Sequence, residues 1–512
     1  MRFRIKPLII SALICCFLII PVYITGNCFT VLVGKDASAD GSVLFGHNEQ
    51  NGGRRIINYW YVPRMQYPSG TEVILKNGGR LPQVEETYAF MWLQNPEVEF
   101  GDSYFNEWGV AVSSDACPTR EDSYKTLVER GGITDGGIGY MLRRLVAQRA
   151  KTAREGVRIA GDLLNQFGYT SSGRSLIIAD PKEAWVLGIA RGKHWIAQRC
   201  PDDQIVLLPN IHIIGPEAEL DDKENVIASP DLVDYAVERG WYDPAAGKPF
   251  SFKDVYGIPP REKSFRGKYG VDPRQWYAQG MVKGEQLDLN SVESLPFSVR
   301  PKQKMTVLSV AQILRSHVEG TEFDGSNQYE AGSPHKIRSP GSICGPTTQE
   351  GAVYQLRNWM PAEIGCVAWR AMAAPCTSVL TPWYLGMTKS PDRYHKSGGV
   401  QEELDIDKHF NYPEERFEFD PELAFDVFNS LENLINEDYK RAIKRVREKW
   451  DAFEQQQFAV QDAVEETALK LYQQDPELAA AFITDYSLSR AALALTQAEE
   501  LVQQLKKMFW RY

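Results

Sequence analysis

The residue with the most chemical promise is Cys28, at the junction between an apolar N-terminal segment and the run Cys28-Phe29-Thr30-Val31-Leu32-Val33. A thiol attacks a carbonyl as thiolate, and an ordinary cysteine has a pKa of about 8.5, so it needs a base. A cysteine at a free N-terminus carries that base itself, because an α-amine titrates at about 7.7–8.0. The amine takes the thiol proton and later returns it to the leaving group. One residue then supplies nucleophile and base. An internal Cys28 has only a non-basic amide nitrogen, so the chemistry requires removal of everything before it, by a signal peptidase, by self-cleavage at Asn27-Cys28, or by both. The structural alternative is a small hydrophobe at the start of a strand.

The elements that would position this residue are legible. Phe29 to Val33 is rich in β-branched and aromatic residues and reads as a strand. Gly34 to Ser42 carries the Asp40-Gly41 turn signal, and Val43 to Phe45 resumes as a strand. The spacing therefore predicts a hairpin with the cysteine at its first residue. Further hairpins are expected near 106–115 and 174–198. Between them, Gly137 to Arg149 and Thr152 to Phe167 repeat apolar residues at helical spacing.

The segment before Cys28 has the layout of a secretory signal peptide: Arg2, Arg4 and Lys6, then the uncharged apolar run Leu8 to Ile24, then Thr25-Gly26-Asn27. Retention as a membrane anchor and lipidation of Cys28 are the alternatives. Export to the periplasm or cell exterior is the expectation, with membrane contact only through this segment if it stays uncut.

The net charge of −10 argues against nucleic acid as a partner, because phosphate binding needs a basic surface. Eight cysteines in 512 residues include no C-x-x-C pair. The seven histidines form no H-E-x-x-H motif, no phosphate loop is present, and no G-x-S-x-G elbow occurs. Neither a metal site nor a cofactor is expected.

The run C-x-T-x-x-V-G-K-x-A-S-x-D-G-S followed by G-H-N-E-Q resembles the start of the dipeptidase A family of cysteine N-terminal-nucleophile hydrolases, more distantly related to penicillin V acylases and bile salt hydrolases. Asn106-Glu107-Trp108-Gly109-Val110-Ala111, Ala179-Asp180-Pro181-Lys182-Glu183-Ala184-Trp185, Leu295 to Pro301, Leu314 to Thr321 and Thr348-Gln349-Glu350-Gly351 continue the likeness in the family's order. The resemblance implies an α+β fold, a four-layer αββα sandwich of two stacked antiparallel sheets. It also implies Cys28 as nucleophile, Asn210 as a donor to the oxyanion, and Arg300 as the arginine that contacts the active-site cysteine. Asp115, with Ser113 and Ser114, is placed near the substrate. The G-H-N-E-Q block departs from the common A-R-N-x-D form: His47 replaces an arginine, and Gln50 replaces an aspartate that would contact the nucleophile's amine. Glu49 or Glu107 is then the available compensating carboxylate.

Residues 418 to 512 change character. Asp420-Pro421 reads as a helix start, and Leu431, Leu434, Ile435, Tyr439, Ile443, Val446, Trp450 and Phe453 recur at three- and four-residue steps. Pro476 opens a second helical run. The expectation is a helical hairpin packed on the catalytic unit, or alternatively an oligomerisation element. The chain thus divides into a signal or propeptide (1–27), a catalytic domain (28–410) and a C-terminal helical region (411–512). The reading is an exported cysteine dipeptidase acting on short peptides through an acyl-enzyme. The alternatives are an amidase or acylase of the same fold, acting on N-acyl amino acids or related amides, and an inactive tethered homologue.

Overall fold

A computed structural model describes residues 27–52, 56–337, 339–396 and 398–510. The signal-peptide reading of residues 1–26 lies outside the described residues. The chain lays down β1 (Phe29–Val33) and β2 (Val43–Gln50) as the expected hairpin, with Gly41 at φ 84° in its turn. It then runs through β3 (Asn58–Val62), β4 (Phe90–Gln94), β5 (Ser103–Asn106) and β6 (Ala111–Ala116). Helices α1 (Met141–Arg149) and α2 (Ala153–Phe167) follow, and then β7 (Tyr169–Ala179), β8 (Ala184–Gly192) and β9 (Trp195–Arg199). The short β10 (Ile205–Leu208) and β11 (Val226–Ala228) lead to α3 (Pro273–Lys283), β12 (Ser298–Val299) and α4 (Val307–Leu314). The last strands are β13 (Thr348–Leu356), β14 (Cys366–Met372) and β15 (Thr381–Tyr384).

Two antiparallel sheets result, ordered β12-β10-β1-β2-β13-β14-β15 and β11-β9-β8-β7-β6-β5-β4-β3. Their inner faces meet. Phe105 of the second sheet packs edge-on against Tyr354 of the first at 5.2 Å, and Tyr354 stacks on Phe45 at 5.2 Å. On the outer face of the second sheet, Val112, Leu176, Ile178, Trp185 and Leu187 share a core with Leu145, Val157 and Leu164 of α1 and α2. On the outer face of the first sheet, α4 lies so close that a Cβ on Gly46 would come within 2.5 Å of Val310. Only glycine fits that crossing. The order is helix, sheet, sheet, helix, the αββα sandwich that the resemblance implies.

The C-terminal region is α5 (Ala424–Glu437), α6 (Tyr439–Gln474) and α7 (Pro476–Phe509). The expected single helix across 431–453 is broken: Asp438 ends α5, and its carboxylate accepts from the Arg441 N–H to cap α6. The start also moves, since α5 begins at Ala424 rather than at Pro421. Asp475 caps α7 with Pro476 in its first turn. By length and composition alone, α7 is long and apolar enough to cross a membrane. In this fold its Ala491, Leu495, Leu501 and Leu505 are buried in the core shared with both sheets. Buried ion pairs fasten the region to the sandwich, Arg315 to Glu454 and Arg357 to Glu465, each at 2.5 Å.

Candidate active site

The register of the first hairpin builds the site. Thr30 faces His47 and Phe29 faces Asn48, so the next position outward sets Cys28 opposite Glu49. Residues directly opposite in an antiparallel pair share a face. Cys28, Thr30, His47 and Glu49 therefore point together into the space between the sheets. From the second sheet, Ser113 and Asp115 of β6 point back at them, two residues apart on one face of their strand. Thr30 Oγ1 donates to Asp115 Oδ2 at 2.6 Å, and His47 Nε2 lies 3.7 Å from Asp115 Oδ1. Ser113 Oγ is 3.1 Å from the His47 ring nitrogens. Cys28, His47 and Asp115 form one buried cluster.

Cys28 itself is 6% exposed, whereas Asn27 before it is exposed, so the chain passes from surface to interior across that peptide bond. The thiol sulfur lies 3.7 Å from Glu49 Oε1 and 3.6 Å from the Gln50 carbonyl, and it accepts from the Gln50 N–H at 3.4 Å. Burial pushes the thiol well above its ordinary value, and the charges of Glu49 and Asp115 push the same way. The Gln50 N–H and Arg174 oppose them without prevailing. Burial lifts the Glu49 carboxyl to about 7 against the pull of His47, Arg143 and Asn51. Burial alone would lower the His47 imidazole, but Asp115, Glu49 and Glu350 outweigh it and the net shift is upward.

Asn210 follows β10, whose Leu208 pairs with Thr30, so it flanks Cys28 on the side away from Glu49. Its Oδ1 accepts from Arg274 Nη1 at 3.1 Å. That bond fixes the amide and leaves Nδ2 buried, with no hydrogen-bond partner among the described residues. The same guanidinium donates to the carbonyl oxygens of Cys28 at 3.0 Å and Asn27 at 2.8 Å.

The expectation for Arg300 is corrected. Its side chain is 72% exposed and pairs with Asp203 at 2.7 Å. The register explains the distance: Val299 pairs with Ile205 at the far end of β10 from Asn210. The arginine that contacts the cysteine residue is Arg274, at the start of α3, where Asp272 accepts from the Arg274 N–H and caps the helix. Asp272-Pro273 is a readable helix start, but no local signal indicates that the next residue reaches β1. Ser114 is turned to the opposite face of β6, where Arg143 donates to it at 2.7 Å. Of the two compensating carboxylates, Glu49 is at the sulfur and Glu107 is engaged by Arg64 at 2.8 Å.

Gln50 is buried. Its Nε2 donates to the Ile343 carbonyl at 2.7 Å, and its Oε1 has no hydrogen-bond partner among the described residues. Glu49 Oε2 and Asp115 Oδ1 are in the same condition. Two of the three, Glu49 Oε2 and Asp115 Oδ1, belong to carboxylates that flank Cys28, where buried polar atoms without partners are ordinarily rare, whereas the Gln50 amide is turned to Ile343. An ammonium, with three N–H donors, is the group that such acceptors suit.

Against the expectation of no metal site stands a second buried cluster. His317, His335, Cys344 and Cys376 bring their ligand atoms within 4.8 Å of one another. Three come from the long segment between α4 and β13 and the fourth from the turn between β14 and β15, at wide and irregular intervals, so no spacing motif announces them.

The model of "Peptidase family C69" matches residues 27–450. A "Dipeptidase" from Bifidobacterium longum is 28% identical over 395 residues, covering 71% of this chain and 72% of its own. A "Probable dipeptidase" from Salmonella dublin is 29% identical over 366 residues, covering 70% and 81% respectively. Among solved structures, a conjugated bile acid hydrolase from Clostridium perfringens aligns at 12% identity with a TM-score of 0.27, over 68% of this chain and 89% of that one.

Proposed function

Because the chain belongs to peptidase family C69, we propose that it hydrolyses dipeptides and comparably short peptides outside the cytoplasm, with Cys28 as N-terminal nucleophile. The observation that carries this reading is the pair of unpaired buried carboxylate oxygens of Glu49 and Asp115 beside Cys28, set against the unpaired Nδ2 of Asn210 on its other side. Cleavage of the Asn27–Cys28 bond converts the amide nitrogen into an ammonium among those acceptors. Once this ammonium has lost a proton to solvent or to Glu49, the neutral amine takes the thiol proton, and sulfur attacks the scissile carbonyl. Asn210 Nδ2, held by Arg274, donates to the oxyanion. The proton passes to the leaving amine as the C–N bond breaks and a thioester forms. Water then attacks the thioester, its proton returns to the sulfur, and the acid is released.

The uncut chain fits a zymogen on this reading, since burial and two carboxylates hold the thiol protonated until the amine appears. The experiment is the intact mass and N-terminal sequence of the protein from an exporting host, followed by a dipeptide screen. A start at Cys28 with dipeptide turnover is expected. A start at Met1, or a lipid on Cys28, would remove the base and sink the mechanism.

A further inference from the structure

The loop carrying His317 leaves α4, His335 and Cys344 lie in the segment before β13, and Cys376 lies between β14 and β15. We propose that these four side chains form a structural zinc site, which joins the wall of the active site to the first C-terminal helix. The argument begins with the imidazoles. His317 Nδ1 is 2.8 Å from Glu319 Oε1, and His335 Nδ1 is 3.0 Å from Glu432 Oε1. Each carboxylate accepts a hydrogen bond from the Nδ1–H, which fixes that tautomer and leaves Nε2 as a lone pair, the arrangement that orients metal-bound histidines. The two Nε2 atoms face each other at 3.3 Å, and His335 Nε2 is 3.4 Å from Cys376 Sγ and 3.8 Å from Cys344 Sγ. Two lone pairs and two sulfurs aimed at one point call for a cation between them.

The distances fit one metal. Zinc bonds of about 2.0–2.1 Å to nitrogen and about 2.3 Å to sulfur give tetrahedral edges of roughly 3.3 Å between nitrogens and roughly 3.6 Å from nitrogen to sulfur. Two soft sulfurs with two imidazoles select zinc over the oxygen-loving cations. Four protein ligands, each no more than 8% exposed, leave no position for a reacting water, so the role is structural. Binding releases the two thiol protons to solvent, and two thiolates then neutralise the ion. The site bears on catalysis by position. Ile343 and Cys344 both donate their N–H to the Ser316 carbonyl, which pins their loop to the residue before His317. The Ile343 carbonyl in turn accepts from Gln50, whose own N–H reaches the Cys28 sulfur. Glu432 belongs to α5, so the same centre reaches the helical region.

The test is metal analysis of the full chain, purified without chelator or an immobilised-metal column and then equilibrated with zinc. About one zinc per chain is expected, falling to background in Cys376→Ser and His335→Gln. Cobalt(II) exchanged into the unaltered protein gives a readout that needs no variant. Thiolate-to-cobalt charge-transfer bands with intense tetrahedral ligand-field bands are expected. Background zinc in the unaltered protein, a cobalt spectrum without thiolate bands, or an intact mass showing a Cys344–Cys376 disulfide would each overturn the site.

Discussion

Arg274 fixes the orientation of Asn210: its guanidinium donates to Oδ1 at 3.1 Å while gripping the Cys28 carbonyl at 3.0 Å, and the Asn210 NH2 is left as the unpaired end. On the proposed mechanism, Asn210→Ala removes a donor from the position where negative charge develops. The expected result is a fall in kcat of about 100- to 1000-fold with KM nearly unchanged. Arg274→Ala leaves the amide in place but free to turn, so it also lowers kcat, by less. A loss confined to KM in either variant would assign both residues to substrate binding instead.

In the proposed mechanism Cys28 carries the covalent step. Cys28→Ala should abolish turnover with a change in stability of about 1 kcal/mol, because it removes one buried sulfur and only the long, weak hydrogen bonds that sulfur makes. Cys28→Ser should retain on the order of a thousandth of the activity, since a hydroxyl is a far weaker nucleophile near neutral pH. Steady-state rates on one cleaved dipeptide, with thermal unfolding as the fold control, decide the matter. Turnover that survives in Cys28→Ala would refute the assignment.

Arg300 supplies the contrasting case. Its partner Asp203 is half-exposed, and an exposed pair of this kind contributes about 0–1 kcal/mol. Arg300→Ala is expected to keep kcat/KM within about twofold and to shift stability by less than about 1 kcal/mol. A large fall in kcat would return the residue to the reaction.

How far the sequence reaches is visible in these residues. Alternation along β2, with the Asp40-Gly41 turn, is enough to set His47 and Glu49 on one face across from Cys28 and Thr30, because an antiparallel hairpin has only local register to satisfy. The helices α1 and α2 follow from their apolar period for the same reason. Arg274 and the His317–Cys376 quartet are different. Their partners lie tens to hundreds of residues away, and what brings them together is packing of α3 on β10 and of two connecting segments beneath α5. Arg300 shows the converse: its motif is in order along the chain, but the register of a two-residue edge strand turns it to solvent. The break at Asp438 is hidden because the apolar period continues across it in phase.

Glu49 makes the pH dependence of the unprocessed chain predictable. Its carboxyl titrates at about 7 in the fold against an ordinary value of 4.5, so the native state prefers the protonated form. The sign follows from linkage: stability tied to this group is fully present below pH 4.5 and is lost as pH rises through 7. A shift of that size corresponds to on the order of 3 kcal/mol. Glu49→Gln keeps the Asn51 hydrogen bond through its carbonyl and removes the titration, so it should be near neutral at about pH 4.5 and markedly stabilising at about pH 8. Once Cys28 has a free ammonium beside it, the opposite charge favours the carboxylate and the advantage of Gln shrinks. The measurement is thermal unfolding of parent and Glu49→Gln across that range, before and after processing. A gap that ignores pH in the unprocessed chain would mean that Glu49 does not titrate there, and the carboxylate could then hold its charge at the sulfur throughout.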